Sequence, residues 1–297
     1  MDRSVLRFTS TNVENEMEGN SLARSRQSAA AETFPHWRNW LLEGRFLYAL
    51  AGAMLAVIWL ASGDFINVWQ PVADIPARML VVRACGVALL LSSAGLLIRR
   101  SAAIAAVVPT LLYALFVWGW ITRIMLLPRV FGTWSGCAEE VALVIAGVLL
   151  AAARPTEPLP HHLVTASRIL FGLCALSFGI IHFDALEPTA KMVPTWIPGS
   201  GTFWATATGV GHIAGGLALI ANFRARLAAQ LLATMYMAFE LLIWVPAVWA
   251  TPGDPIAWGG NAITIAIAAS ALVLGDAVAR SGRDAPVRVD PRGLPAT

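Results

Sequence analysis

Three ionisable side chains lie in or at the end of long apolar runs, where they could do chemistry: His182, His212 and Glu240. An imidazole titrates near neutral pH, and an ionisable group inside a membrane-spanning helix usually faces the protein interior and has a partner. A buried histidine–glutamate pair could relay protons or hydrogen-bond a quinone head group. The alternative is that these side chains only hydrogen-bond neighbouring helices and specify packing.

The position of each residue along its apolar run gives its expected depth. At 1.5 Å per residue, Glu240 lies about 22 Å from the start of its run and His212 about 13 Å from the opposite surface. His182 closes its run at that same surface. All three therefore fall in one half of the bilayer, beneath the proline-bearing segment 184–202. We predict one candidate polar site there; no catalytic residue and no metal site is assigned.

The composition is that of an integral membrane protein. Of the 297 residues, 57% are hydrophobic and 13% are charged, and the mean hydropathy is +0.66. Soluble domains carry about 25% charged residues. The net charge of +3 is spread over short turns and tails, which does not indicate nucleic-acid binding. The expected partner is a lipid bilayer.

Eight apolar runs are long enough to cross this bilayer, since a spanning helix needs about 20 mainly apolar residues. They cover approximately residues 46–62, 79–98, 102–125, 138–153, 167–183, 203–221, 225–248 and 257–277. Residues 1–40 and 279–297 are polar and are predicted to be disordered cytoplasmic tails. The first tail lacks an apolar core and is not expected to act as a signal peptide.

Basic residues predict the orientation. All but five of the 21 Lys and Arg residues fall in the tails or in connections on the amino-terminal side of the membrane. The five on the other side are Arg78, Arg83, Arg123, Arg129 and Lys191. Such a bias marks the cytoplasmic side, and most tryptophans lie near the opposite helix ends, as an aromatic belt does. A multi-pass protein of the bacterial inner (plasma) membrane with both termini cytoplasmic is predicted.

The chain also contains an internal repeat with an offset of 123 residues. Glycine, proline and aromatic residues match without a gap from position 45 to about 124, and one inserted residue follows. The matched pairs include Arg45 with Arg168, Pro71 with Pro194, Tyr113 with Tyr236, Phe116 with Phe239 and Trp134 with Trp258. The repeat predicts two four-helix bundles of parallel topology, 41–155 and 167–278, joined by a linker at 156–166.

The segment from Gly179 to Ile220 carries the pattern G-x-x-H-F, a polar spacer, V-P-x-W-I-P, and then T-G-V-x-x-I-A-G-G-L-x-L-I. This pattern resembles the DoxX-like family of bacterial membrane proteins, and the resemblance extends more loosely over 167–277. It implies a four-helix unit and a link to thiol or sulfur redox chemistry at the quinone pool, with membrane or redox partner proteins. The family usually has a glutamate where this chain has His212.

Three classes of function follow from these observations. The first is an accessory component of membrane redox chemistry that touches a quinone or a lipid-phase thiol. The second is a small-solute or proton-coupled transporter. A transporter built from two repeats is expected to have polar residues in both, whereas His182, His212 and Glu240 align with apolar residues of the first half. The third is a non-catalytic assembly subunit. No nucleotide-binding, nucleophile-elbow or zinc motif indicates a self-contained enzyme.

Other polar residues are expected to serve structural roles. Glu139 and Glu140 are predicted to open the fourth span, where carboxylates favour the helix dipole. His161 and His162 are predicted to lie in the connector between the repeats. The cysteines have no C-x-x-C spacing and are expected to pack as small apolar residues; they are Cys85, Cys137 and Cys174.

Overall fold

The computed structural model describes residues 44–154 and 157–283. Within these residues, eight helices are long and apolar enough to cross a membrane, and there is no strand. They are α1 (Gly44–Ser62), α2 (Arg78–Leu97), α3 (Ala102–Leu126), α4 (Phe131–Ala152), α5 (His161–Asp184), α6 (Gly201–Ile220), α7 (Ala225–Ala250) and α8 (Pro255–Arg283). The prediction of an all-α membrane protein with eight spanning helices is confirmed.

Three helices extend beyond the predicted spans, because polar and small residues continue a helix past its apolar part. The fourth begins at Phe131 rather than near 138, and the fifth begins at His161 rather than near 167. His161 and His162 therefore start α5, and their assignment to a connector was wrong. The eighth helix runs to Arg283, so residues 279–283 are not part of a tail. The rest of that tail, from 284 onward, and the tail at 1–40 lie outside the described residues.

Helix starts carry local sequence signals. Ser200 caps α6 by accepting a hydrogen bond from the Phe203 amide at 3.1 Å. The Asp254 carboxylate accepts one from the Ile256 amide at 2.9 Å, just before α8 begins at Pro255. Proline suits the first helical position, where its missing N–H would have no partner in any case.

The helix bounds repeat along the chain as the residue matches predict. Gly201 lies 123 residues after Arg78, and Ile220 lies 123 residues after Leu97, so α2 and α6 correspond end to end. Three tryptophans near helix starts also share one contact, in which each indole N–H donates to the carbonyl of a proline six residues earlier. The pairs are Trp134 with Pro128, Trp204 with Pro198 and Trp258 with Pro252. The two halves therefore share helix boundaries, and α4 and α8 also share the tryptophan–proline contact.

The inserted residue lies inside α7, not after position 124 as predicted. Trp120 packs where a Cβ on Gly136 would lie, and Trp244 packs in the same way on Gly260. Trp120 and Trp244 therefore correspond with an offset of 124, whereas Phe116 and Phe239 correspond with an offset of 123. The extra residue thus lies between Phe239 and Trp244. Residues Glu240–Trp244 form a π-helical turn, and such a turn accommodates one extra residue in an α-helix.

The helices form a closed ring in chain order, and the last helix packs against the first. The fourth helix of each half contacts the first helix of the other half, as α4 does with α5 and α8 with α1. In addition, α4 and α8 pack against each other. They are also the two most buried spans, with 56% and 72% of their most apolar segments inside the protein. The two halves thus interlock through a central pair of helices.

We call the end of the ring that holds Gly44, Arg99, Arg154 and Arg280 the basic end, and the other the aromatic end. Two long connections cross the aromatic end. The first, 63–77, packs into the bundle: the Trp69 carbonyl accepts from the Trp120 indole at 2.8 Å, and Gln70 is fully buried. The second carries the exposed helix Leu186–Met192, which packs beside α6.

Candidate functional site

A close crossing of α5 and α6 brings the two candidate histidines together. A Cβ on Gly179 would meet the Gly209 carbonyl at 2.9 Å, and a Cβ on Gly209 would meet the His182 Cβ at 3.0 Å. Glycine at both positions lets the backbones approach this closely, as small residues do in membrane helix pairs. The crossing lies towards the aromatic end, since His182 is two residues from the end of α5.

His182 and His212 face each other across this crossing. Their ring centroids are 4.8 Å apart, with an angle of 45° between the ring planes. His212 is 1% exposed, whereas His182 is only partly buried. The pair therefore joins a buried imidazole to one that is accessible from the rim of the bundle.

Both imidazoles use the same nitrogen to hold their orientation. The Nδ1 of His182 lies 2.7 Å from the Phe178 carbonyl oxygen, and the Nδ1 of His212 lies 2.8 Å from the Thr208 carbonyl oxygen. A carbonyl only accepts, so Nδ1 carries the hydrogen in each ring. In the neutral ring the other nitrogen, Nε2, is then an acceptor. The pair therefore presents two acceptors of protons or of hydrogen bonds.

Aromatic rings from α5 and α7 surround the imidazole pair. The Tyr236 and Phe239 rings lie 5.4 Å and 5.9 Å from the His212 ring, and the Phe178 ring lies 6.0 Å from it. Phe239 also stacks on His182 at 6.1 Å with 28° between the planes. These rings pack against the imidazoles and limit their contact with water.

Glu240 lies on α7 directly after Phe239 but does not join the histidines. It is 2% exposed, it starts the π-helical turn, and its Oε2 atom is buried without a hydrogen-bond partner. Among the described residues, no hydrogen bond or ion pair links Glu240 to His182 or His212. The structure thus brings together two of the three predicted site residues and leaves the carboxyl apart. The depth of a residue along its helix does not determine the direction of its side chain, which depends on helix rotation.

The corresponding place in the first half is filled by apolar rings. Trp59 is the counterpart of His182 and Phe116 that of Phe239, and these two rings pack edge to face at 5.6 Å. Phe65, from the first long connection, packs against both of them, at 5.1 Å and 5.4 Å. All three rings are buried. The imidazole pair of the second half thus corresponds, in the repeat, to an aromatic cluster in the first half.

A second buried carboxyl, Glu140, was misassigned from the sequence. It is the tenth residue of α4 and 1% exposed, so it does not open that helix, and both of its carboxyl oxygens are buried without a hydrogen-bond partner. It is within electrostatic range of Tyr48 and Tyr113. The repeat could have placed Glu140 correctly. The residue that matches Pro255, the first residue of α8, is Phe131, so α4 is expected to begin well before Glu140. Buried carboxyls therefore occur in both halves.

The described residues contain no cluster of three or more His, Cys, Asp or Glu side chains that could hold a metal ion. The three cysteines are free thiols, and Cys174 is buried on α5. The exposed pair Glu187 and Lys191 forms an ion pair at 2.6 Å, as a solvated loop would. Near the aromatic end, the imidazole pair is thus the polar arrangement that we consider as a candidate site.

Residues 171–251 match the model of a family described as a domain of unknown function, DUF8561. The match runs from α5 to the end of α7, so it includes both histidines, the surrounding rings and Glu240. It also contains the whole segment with the DoxX-like pattern. No curated protein and no solved structure matches the chain.

Proposed function

We propose that the protein is a DoxX-like accessory component of membrane redox chemistry and that its second half binds the head group of a quinol. The observation that supports this most is the pair of facing imidazoles within a wall of aromatic rings. A quinol head group is planar, so it can stack on such rings, and its two hydroxyls are hydrogen-bond donors. The redox role itself rests on the resemblance in the 179–220 segment.

The hydrogen bonds of the imidazoles favour the reduced ligand. Because Nδ1 of each ring donates to a backbone carbonyl, the free Nε2 accepts, and it matches a quinol hydroxyl better than a quinone carbonyl. Oxidation of a quinol releases two electrons and two protons. In this proposal, a membrane redox partner protein takes the electrons. The partly exposed His182 takes the protons one at a time at Nε2 and passes each to solvent.

The test uses the first half as a template. His182→Trp and His212→Leu give the site the residues of its counterpart, Trp59 and Leu89, which are both fully buried there. The double variant removes both Nε2 acceptors, and the loss of even one buried hydrogen bond costs about tenfold in affinity, so the quinol that co-purifies with the protein should fall at least tenfold. Mass spectrometry of extracts from the detergent-purified protein measures the amount per chain.

Phe116→Leu is the control, because it removes a buried ring from the matching cluster of the first half. It should leave the bound quinol unchanged. Equal quinol in the wild type and the double variant, or none in either when the membranes contain it, would refute the proposal.

Proton-coupled transport is the second candidate, and the buried carboxyls favour it. Glu140 lies in the first half and Glu240 in the second, and both have carboxyl oxygens without a hydrogen-bond partner. An ionisable group buried in a membrane bundle often marks an ion pathway. In proteoliposomes with a pH-sensitive dye inside, Glu140→Gln and Glu240→Gln would each abolish proton flux if this function holds. A wild type that moves no protons excludes it.

We also propose that the protein lies in a bacterial inner membrane with both termini in the cytoplasm. Eight spans return the chain to the side on which it started, and that side is the basic end. Reporter fusions at the two termini should both show cytoplasmic activity, and a fusion after Glu187 should show the opposite. A periplasmic signal from either terminus would reverse the orientation.

A further inference from the structure

A cavity of about 540 Å³ opens at the basic end, between the ends of α1, α4 and α8 and the α2–α3 connection. Five arginines line it, together with one carboxylate: Arg45, Arg99, Arg100, Arg154, Arg280 and Asp276. No histidine or aromatic residue of the imidazole site takes part. The cavity is therefore a separate feature at the opposite end of the protein.

The lining of this cavity is strongly basic. Arg45, Arg99 and Asp276 each have an interaction partner, so the positive charge that bears on a ligand here is that of Arg100, Arg154 and Arg280. Like charges held together repel, and an anion between them relieves the repulsion. Arg100, Arg154 and Arg280 are exposed and form no ion pair with the acidic residues that the structure describes. They are available to an anion from outside the chain.

Beneath the arginines the lining becomes apolar. Leu149, Leu150 and Val273 form this part of the cavity, and Ile104 lies at its edge with 78% of its surface exposed. Ile104 sits on α3, in a span of which only 28% of the most apolar segment is buried. In a membrane this face of α3 meets lipid, so the cavity opens both to the charged surface and to the acyl region.

We propose that this cavity binds the phosphate head group of an anionic phospholipid, with the acyl chains leaving past Ile104. Guanidinium groups bind phosphate oxygens through paired N–H donors, which supplies the head-group contact. Basic pockets between helix ends on the cytoplasmic side are suited to such lipids. The apolar lining favours a lipid over a free phosphate ion, because only a lipid has acyl chains that can contact it.

The matching place in the second half lacks this arrangement. Arg168, the counterpart of Arg45, donates to the Leu219 and Ile220 carbonyls at the end of α6 and is 8% exposed. The nearby opening has only two arginines, Arg224 and Arg226. The cavity formed by α1, α4 and α8 thus differs from the matching opening at Arg224 and Arg226, which provides a control.

The experiment titrates phosphatidylglycerol or phosphatidylcholine onto the full, detergent-purified chain and counts bound lipids by native mass spectrometry. The wild type should prefer phosphatidylglycerol. Each arginine near an anionic head group contributes about a factor of five in affinity, so Arg100→Gln with Arg154→Gln should weaken phosphatidylglycerol binding about 25-fold. Arg224→Gln with Arg226→Gln should leave it unchanged. Melting temperatures of both double variants check that they are folded.

Three outcomes overturn the proposal. Equal binding of the two lipids by the wild type excludes an anionic head-group site. Unchanged binding in the Arg100 and Arg154 double variant places the lipid elsewhere. Displacement of phosphatidylglycerol by millimolar inorganic phosphate assigns the arginines to a free phosphate ion instead, whereas resistance to it supports a lipid held also by its chains.

Discussion

At the scale of single residues, glycines determine how the tryptophans of each half are seated. The Trp120 ring occupies the place where a Cβ on Gly136 would lie, and the Trp244 ring does the same at Gly260. The Trp120 indole also donates to the Trp69 carbonyl. A side chain at Gly136 would push this ring away and strain that hydrogen bond as well.

We therefore expect Gly136→Ala to lower the free energy of unfolding by about 1–3 kcal/mol, the usual cost of overpacking. Gly132 lies on the same helix, and a Cβ added there would meet nothing within 4 Å. Gly132→Ala should change stability by no more than about 1 kcal/mol, the scale of the glycine-to-alanine difference in helix propensity. Thermal unfolding of the two variants in one detergent measures the difference. Equal melting temperatures would show that the ring moves aside freely.

The sequence predicted which residues could form the candidate site, but it did not predict which of them contact each other. The sequence predicted the common depth of His182 and His212, because a count of residues along a helix converts directly to a rise. It did not predict that Glu240 stays apart, since rotation about the helix axis depends on packing. Glu140 was misplaced because Thr133, Ser135 and Gly136 resemble a loop when read without the bundle around them.

At the scale of secondary structure, the π-helical turn in α7 explains how two unequal halves keep one packing pattern. Tyr113 and Trp120 are seven residues apart, close to two α-helical turns, so both lie on one face. Tyr236 and Trp244 are eight residues apart, and the wider turn at Glu240–Trp244 absorbs the extra residue. The tryptophan still reaches its glycine, and a carboxyl enters the interior at the same point.

Deletion of Leu241 should therefore be tolerated, because it gives α7 the spacing of α3 and keeps Glu240. Deletion of Val117 from α3 should prevent folding, since it rotates Trp120 by about 100° away from Gly136. Size-exclusion profiles and melting temperatures of the two variants test this. Similar damage from both deletions would mean that the π-helical turn is itself required for packing.

At the scale of the whole molecule, the repeat predicted the number and bounds of the helices better than their arrangement. Matching residues indicate similar local structure, and the two halves do have similar helices and connections. Such matches do not indicate which half a helix packs against. The fourth helix of each half contacts the first helix of the other, and α4 meets α8 at the centre, so the two four-helix units interlock in a way that the repeat did not predict. That choice depends on surfaces far apart in the chain.

This arrangement predicts that neither half folds by itself as a monomer. Residues 157–297 expressed alone would expose the faces of α8 that pack on α1 and α4, although this span is the most buried of the eight. Small residues are frequent among the buried residues of α8, including Ala266, Ala269 and Ser270, and they suit a close helix contact better than lipid. We expect the isolated half to aggregate or to pair with a second copy.

Co-expression of 1–156 should restore a one-to-one complex that purifies through a tag on either piece. A folded, monodisperse monomer of 157–297, with the melting temperature of the full chain, would show instead that the second half is an independent four-helix unit.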